Sequence, residues 1–213
     1  LMRETLLASF LSEPRWLPHL LDAVEAGSIP PGAIDSARRN QLLKHKDERI
    51  RQRAETLFKN VMSGDRMKVY EGYKSVLTLK ANSQNGRVVF KLHCASCHRL
   101  DREGIAVGPD LFGVRNQSKE TILLHILVPE YEIVPGFAGY LLETKDGRTL
   151  SGLIASETAT SITLRGATGV EETVLRSNVT TLASTALSLM PQEVERNMSR
   201  QELADLIAYL KGE

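Results

Sequence analysis

Cys94-Ala95-Ser96-Cys97-His98 contains both cysteines of this 213-residue chain. C-x-x-C-H is the attachment sequence of a c-type haem. Two thiols three positions apart can each form a thioether to one porphyrin edge, and the histidine that follows is then held beside the iron as an axial ligand. C-x-x-C has two other chemical uses. A thioredoxin-like redox pair should follow a strand and open a helix, but here a helical pattern precedes the motif and a glycine-rich loop follows it. Half a zinc site would need two more ligands. No second cysteine pair exists, and His93, His98 and His125 have the spacing of no standard finger. The adjacent His98 decides for one haem c, attached through Cys94 and Cys97.

The composition, 42% hydrophobic and 25% charged, is ordinary for a globular protein with one or two cores. A net charge of +1 argues against a nucleic-acid partner. No apolar run approaches the roughly 20 residues that span a bilayer. Leu1-Met2-Arg3-Glu4 does not read as a signal peptide but as a cut inside a longer protein. Covalent haem attachment implies export, in bacteria to the periplasm, so a signal peptide is expected upstream. Residues 1–80 carry a net +4 and residues 81–213 a net −3, which marks a boundary near residue 80.

Residues 1–62 read as short helices separated by proline and glycine. Leu6, Leu7, Phe10 and Leu11 form one apolar stripe. Ser12 is a cap for a helix with Pro14 in its first turn, whose buried face is Trp16, Leu17, Leu20, Leu21 and Val24. After the break at 27–32 come Ile34, Ala37, Leu42 and Leu43. Ile50, Ala54, Leu57 and Phe58 follow on a basic helix. Its Arg49, Arg51, Arg53 and Lys59 form either a solvated face or a patch for an acidic partner. Paired short helices suggest a HEAT-like repeat segment. Residues 63–81 are a helical connector with Met67, Tyr70, Tyr73 and Leu77.

Gly86, Val89, Phe90 and His93 share a helical face that leads into the haem motif. Ser118–Val128 is a helix with Ile122, Leu123, Ile126 and Leu127 inward. Residues 138–182 change character. Strands at Tyr140–Thr144 and Thr149–Ala155 flank the Asp-Gly hairpin signal at 145–148. Shorter strands at Ser161–Leu164, Thr173–Leu175 and Val179–Leu182 complete a small antiparallel insert, a barrel-like fold or an open sheet. Ser199 and Glu202 form a capping box before the apolar face of Leu203, Leu206, Ile207 and Leu210.

Met190 is the second axial ligand expected for the iron. A thioether is a soft, neutral ligand, and His/Met ligation raises the reduction potential relative to His/His. Pro191 would hold the chain extended there, and an amphipathic helix follows. Helix, C-x-x-C-H, loop, methionine, helix is the order of a small monohaem cytochrome. Met198 and His125 are weaker rivals, and Met62 and Met67 lie in the helical region. His98 and Met190 are 92 positions apart, and 47 without the insert. The core therefore reads as split, into 82–137 and 183–213.

Gly86-x-x-x-Phe90, the haem motif, Gly108-Pro109-Asp110-Leu111, Met190-Pro191 and Leu206-Ile207-Ala208-Tyr209-Leu210 together resemble a class I cytochrome c. The resemblance implies that the first and last helices cross at Gly86, with Phe90 and Tyr209 nearby. It implies that Pro109 offers its carbonyl to His98, fixing the imidazole and raising its basicity. The His-Arg-Leu after the motif, Val-Gly-Pro-Asp-Leu, Thr-Lys-Asp-Gly-Arg-Thr-Leu-Ser-Gly and Ser-Leu-Met-Pro are similar, in this order, to the planctomycete and verrucomicrobial type of haem-binding domain. That likeness implies the C-terminal module of a large exported protein. The expected fold is mainly α: a HEAT-like segment, then a cytochrome core interrupted by the β insert. The expected function is electron transfer rather than catalysis, with redox proteins as partners: an upstream dehydrogenase domain and other cytochromes. The alternative is a haem enzyme or gas sensor with a displaceable Met190, which would recruit Arg102 or Arg115.

Overall fold

The N-terminal stretch forms α1 (Leu17–Glu25), α2 (Ser36–Leu43) and α3 (Glu48–Met62); proline and glycine separate the first two, and between α2 and α3 Asp47 accepts the Arg49 N–H. Then come α4 (Arg66–Tyr73), α5 (Ser83–His93), α6 (Lys119–Leu127) and, at the end, α7 (Arg200–Lys211). Between α6 and α7 run β1 (Ala138–Thr144), β2 (Thr149–Glu157), β3 (Ser161–Arg165), β4 (Glu171–Leu175) and β5 (Val179–Ser188). The computed structural model describes residues 13–29, 31, 34, 36–62 and 66–213. The expected stripe of Leu6, Leu7, Phe10 and Leu11, the cap at Ser12, and the side chains of Ala37, Lys59 and Met62 lie outside what is described. The chain divides into two compact units, 1–63 with 135–191 and 64–134 with 192–213.

The first unit has two apolar cores. Leu17, Leu20, Leu21, Val24, Ile34, Leu42, Ile50, Ala54 and Phe58 join α1, α2 and α3. Each fully buried Leu or Phe contributes roughly 1.5–3 kcal/mol. Three helices on one core suit any small bundle, so this packing does not single out a HEAT repeat. The basic helix is partly neutralised from within. Arg53 reaches Asp22 at 2.6 Å and Glu25 at 2.8 Å, and Arg51 donates to the carbonyls of His45 and Lys46.

The second core, Leu142, Leu150, Ile162, Leu164 and Val174, belongs to the sheet. Strand order is β4-β3-β2-β1-β5, antiparallel throughout. β2 pairs with β1 through Thr149–Gly152 and with β3 through Leu153–Glu157, with a register shift between Ile154 and Ser156. One strand thus serves two ladders across a bend, as strands that turn a corner do. No ladder joins β4 to β5 among the described residues, so barrel closure by pairing, as the sequence suggests, is not formed there. β5 runs to Ser188, six residues past the expected end, because β1 pairs with it as far as Ala138↔Ser188. Its small and polar residues (Thr180, Thr181, Ala183, Ser184, Thr185) hide that pairing from a hydrophobic-pattern reading.

The second unit is helical. The expected connector helix is α4 followed by a 3-10 turn, Lys74–Thr78. Tyr70 and Val76 from this stretch join Val89, Phe90, Leu100, Ile122, Leu123, Leu127, Leu203, Leu206 and Leu210 in one core. Asn82 opens α5 by accepting the Gln84 and Asn85 backbone N–H groups. Ser199 opens α7 with the capping box read from the sequence. The two helices cross at Gly86. A Cβ there would lie 1.9 Å from the Asp205 carbonyl oxygen and 2.8 Å from Tyr209 Cβ. Phe90 and Tyr209 pack beside the crossing, ring centroids 5.6 Å apart.

Asp205 is 2% exposed in α7. It accepts from the Asn82 N–H at 2.8 Å, from Asn85 Nδ2 at 2.6 Å and from Gln201 Nε2 at 2.8 Å. Burial alone would raise its carboxyl, but these donors outweigh burial and hold it below the usual carboxylate range. A carboxyl depressed in the folded state stabilises above the unfolded value, about 3.9, and that contribution is lost as pH falls through the folded value. Asp205→Asn is expected to cost about 1–3 kcal/mol at pH 7. Urea unfolding should show the gap from the parent shrinking as the pH falls below the unfolded value, about 3.9. A constant gap would mean that the Asp205 charge contributes nothing.

Candidate haem-attachment site

α5 ends at His93, and the chain turns at once. Cys94 N–H donates to the Phe90 carbonyl at 2.8 Å, and His98 N–H donates to the Cys94 carbonyl at 2.9 Å. The pentapeptide is therefore one further compact turn, with both sulfurs and the imidazole on a short arc. The following loop is laced back over it. Val107 and Gly108 both donate to the Cys97 carbonyl, at 2.9 and 2.7 Å, Ile105 donates to Ala95 at 3.1 Å and Leu111 to Arg99 at 2.8 Å. Gly104 makes this return possible. It sits at φ +84°, and a Cβ there would meet the His98 carbonyl oxygen at 2.0 Å. Arg99–Asp110 at 2.9 Å and Arg115–Asp101 at 2.6 Å brace the loop.

His98 is fixed on two sides. Its Nδ1 lies 2.8 Å from the Pro109 carbonyl oxygen. A carbonyl can only accept, so Nδ1 carries the proton and Nε2 keeps its lone pair. Gly108 packs flat on the ring, where an added Cβ would come within 2.7 Å of Cε1. Burial lowers the imidazole pKa, opposed by the Pro109 bond. The ring is thus a neutral, oriented donor of one nitrogen lone pair.

Cys94 and Cys97 are not joined by a disulfide. Burial, helped by the neighbouring Cys97, pushes the Cys94 thiol up to about 12. A redox-active C-x-x-C cysteine has the opposite, a lowered pKa. Among the described residues no group of three or more His, Cys, Asp or Glu side chains is placed to hold a metal ion.

The rival ligands are accounted for. Met198 is buried in the core with Leu203 and Phe90. His125 faces Glu132 at 3.5 Å and packs near Tyr131. Met67 is exposed. Met190 is half-buried, two residues beyond β5, with its N–H donating to Ser188 Oγ at 3.1 Å. It is the last residue but one of the first unit, whereas Cys94, Cys97, His98 and Pro109 all lie in the second.

Several contributors escaped the sequence reading. Glu103 binds Arg87, Lys91 at 3.1 Å and the Tyr209 hydroxyl at 3.4 Å. Arg87, with Lys91, draws its carboxyl down to about 2. Glu103 so ties the return loop to α5 and α7, and nothing in its surroundings in the chain signals that. Gly104 and Gly108 carried a loop signal but not their contacts with His98. A cleft of about 710 Å³ opens in the first unit between α2 and the sheet, lined by Gln41, His45, Arg148 and Ser184 among others. No residue of the haem motif lines it.

An attachment turn with two thiols and a neutral imidazole presenting a bare Nε2 is the donor set of a c-type haem protein. Gly108 packs against that imidazole and Gly104 against the His98 carbonyl, so neither position admits a larger residue beside the histidine, and the two thiols and the oriented nitrogen are donors of the kind that group needs. Residues 83–129 match the cytochrome c family. Over 53 residues the chain is 36% identical to a protein described as cytochrome c-553-like from Synechocystis sp., covering 25% of this chain and 50% of that relative. The chain thus spans about half the length of the curated relative it matches. The α5–α7 crossing at Gly86 and the His98–Pro109 bond agree with the class I form of the family. The family implies haem c, and both anchoring cysteines are present.

Proposed function

We propose that this chain is an electron-transfer module with one covalently bound haem c, His98 and Met190 as axial ligands, and no catalysis of its own. The observation that carries the reading is the His98 imidazole, held neutral between the Pro109 carbonyl and Gly108 with Nε2 bare. Haem iron supplies one-electron chemistry, cycling between ferric and ferrous. The chain's residues hold, orient and shield. Cys94 and Cys97 anchor the group, the Pro109 carbonyl keeps the proton on Nδ1 and raises the basicity of Nε2, and Met190 adds a neutral thioether.

The module acts outside the cytoplasm, in bacteria in the periplasm, since covalent attachment follows export. It takes electrons from a fused or separate dehydrogenase and passes them to another cytochrome. Redox encounters of this kind use small, transient interfaces. Within the cytochromes it belongs with the planctomycete and verrucomicrobial haem-binding modules, whose strand insert corresponds to β1–β5.

Absorption spectra of the parent and Met190→Ala holoproteins test the ligand set. The parent is expected to be low-spin in both oxidation states, with a weak far-red sulfur-to-iron band in the ferric form. Met190→Ala should lose that band and bind carbon monoxide rapidly when reduced. A band that survives the substitution overturns the assignment. Rapid carbon monoxide binding by the parent would favour a gas sensor or haem enzyme instead.

A further inference from the structure

Arg66 opens α4, outside the segment that matches cytochrome c. Its Nη2 lies 2.9 Å from Glu195 Oε2, and its Nε donates to the Leu127 carbonyl at 2.9 Å. The side chains are only 10% and 3% exposed, and 129 positions separate them in the chain. One guanidinium therefore ties together α4, the end of α6 and the 3-10 turn Val194–Asn197. Removing one member of such a buried pair leaves an uncompensated charge, so the pair is hard to break.

The tied turn is itself under strain. Glu193 is 8% exposed and sits at φ 66°, a left-handed conformation that costs a residue with a Cβ about 1–2 kcal/mol. Such a conformation persists where its surroundings over-determine it. Here Arg196 holds Glu193 twice, by its N–H to the Glu193 carbonyl at 3.0 Å and by its guanidinium to the carboxylate at 2.9 Å. Glu195 follows Met190 by five residues, so even a fully extended chain leaves the Met190 Cα within about 18 Å of the Glu195 Cα. The 3-10 turn Val194–Asn197 shortens that reach.

We propose that Arg66 and Glu195 are positioning residues for the second axial ligand: their ion pair clamps the turn after Met190 and sets how readily that ligand is displaced. The inference rests on Met190 being the ligand. It makes the connector helix part of the haem machinery rather than a spacer, and makes the clamp the control on whether the sixth position opens.

Imidazole titration of the ferric holoprotein tests this, because imidazole must displace the sixth ligand. Arg66→Gln and Glu195→Gln are each expected to tighten imidazole binding about tenfold, equivalent to ~1.4 kcal/mol, with haem still covalently attached. In a Met190→Ala background the effect of Arg66→Gln should vanish, since the clamp then has no ligand to hold. Asp205→Asn, which weakens the same unit elsewhere, should lower the melting temperature without changing imidazole affinity. A change below twofold in both clamp variants overturns the proposal, and so does an effect that persists without Met190 or that Asp205→Asn reproduces. If Met190→Ala itself leaves the far-red band and imidazole affinity untouched, the ligand assignment has failed rather than the clamp alone. Should Arg66→Gln lack haem, Arg66→Lys takes its place, because a lysine cannot serve Leu127 and Glu195 with a planar fork.

Discussion

Gly86→Val is expected to leave the second unit without its cooperative fold. A Cβ at this position would sit 1.9 Å from the Asp205 carbonyl oxygen, inside any allowed contact. The clash is with helical backbone, which cannot swing aside as a flexible side chain can. α7 would have to slide off α5, opening the packing of Phe90 on Tyr209 and the bonds from Asn82 and Asn85 to Asp205. Even Gly86→Ala should cost about 3 kcal/mol, the upper end for overpacking a core. For a unit of this size that lowers the melting temperature by roughly 10–25 °C. Valine adds two methyl groups to the same clash. Thermal unfolding followed at 222 nm and in the haem absorption band would show both effects. A Gly86→Ala melting temperature within a few degrees of the parent would mean that the helices cross elsewhere.

Cys94→Ser with Cys97→Ser is expected to abolish covalent haem altogether. These are the only two thiols in the chain, so no other side chain can form the thioether. The outcome is all or none, unlike the graded cost of Gly86→Ala. Expressed with an export signal in a host that attaches haem c, the double variant should show no haem-dependent peroxidase stain on a denaturing gel, where the parent stains strongly. Residual stain in the double variant would contradict attachment at this motif. Each single variant should keep one link and stain less.

Much of this site could be read before any coordinates. The pentapeptide, the Gly86 and Phe90 face, the Ser199–Glu202 capping box and the Asp-Gly hairpin are local signals, each within a few residues, and each appears where expected. Pro109 as the partner of His98 followed from family resemblance, and the 2.8 Å bond agrees with it. The length of β5 escaped the reading because its residues are small and polar, and its pairing is supplied by β1. Arg66, Glu195, Glu103 and Asp205 escaped it for a related reason. In a sequence each is one more charged residue among many, and a charge acquires a role only from the partner that folding brings to it.

The sequence by itself determined the chemistry: two thiols and an imidazole within five consecutive residues. It also determined where the helices of the second unit begin, because caps and apolar stripes act over a turn or two. Tertiary structure alone decided the state of those groups. Burial and a carbonyl eleven residues away leave His98 neutral with Nε2 bare, and a guanidinium 129 residues from its carboxylate holds the turn after Met190. Charge, protonation and strain depend on dielectric and on neighbours, and both exist only once distant segments have packed.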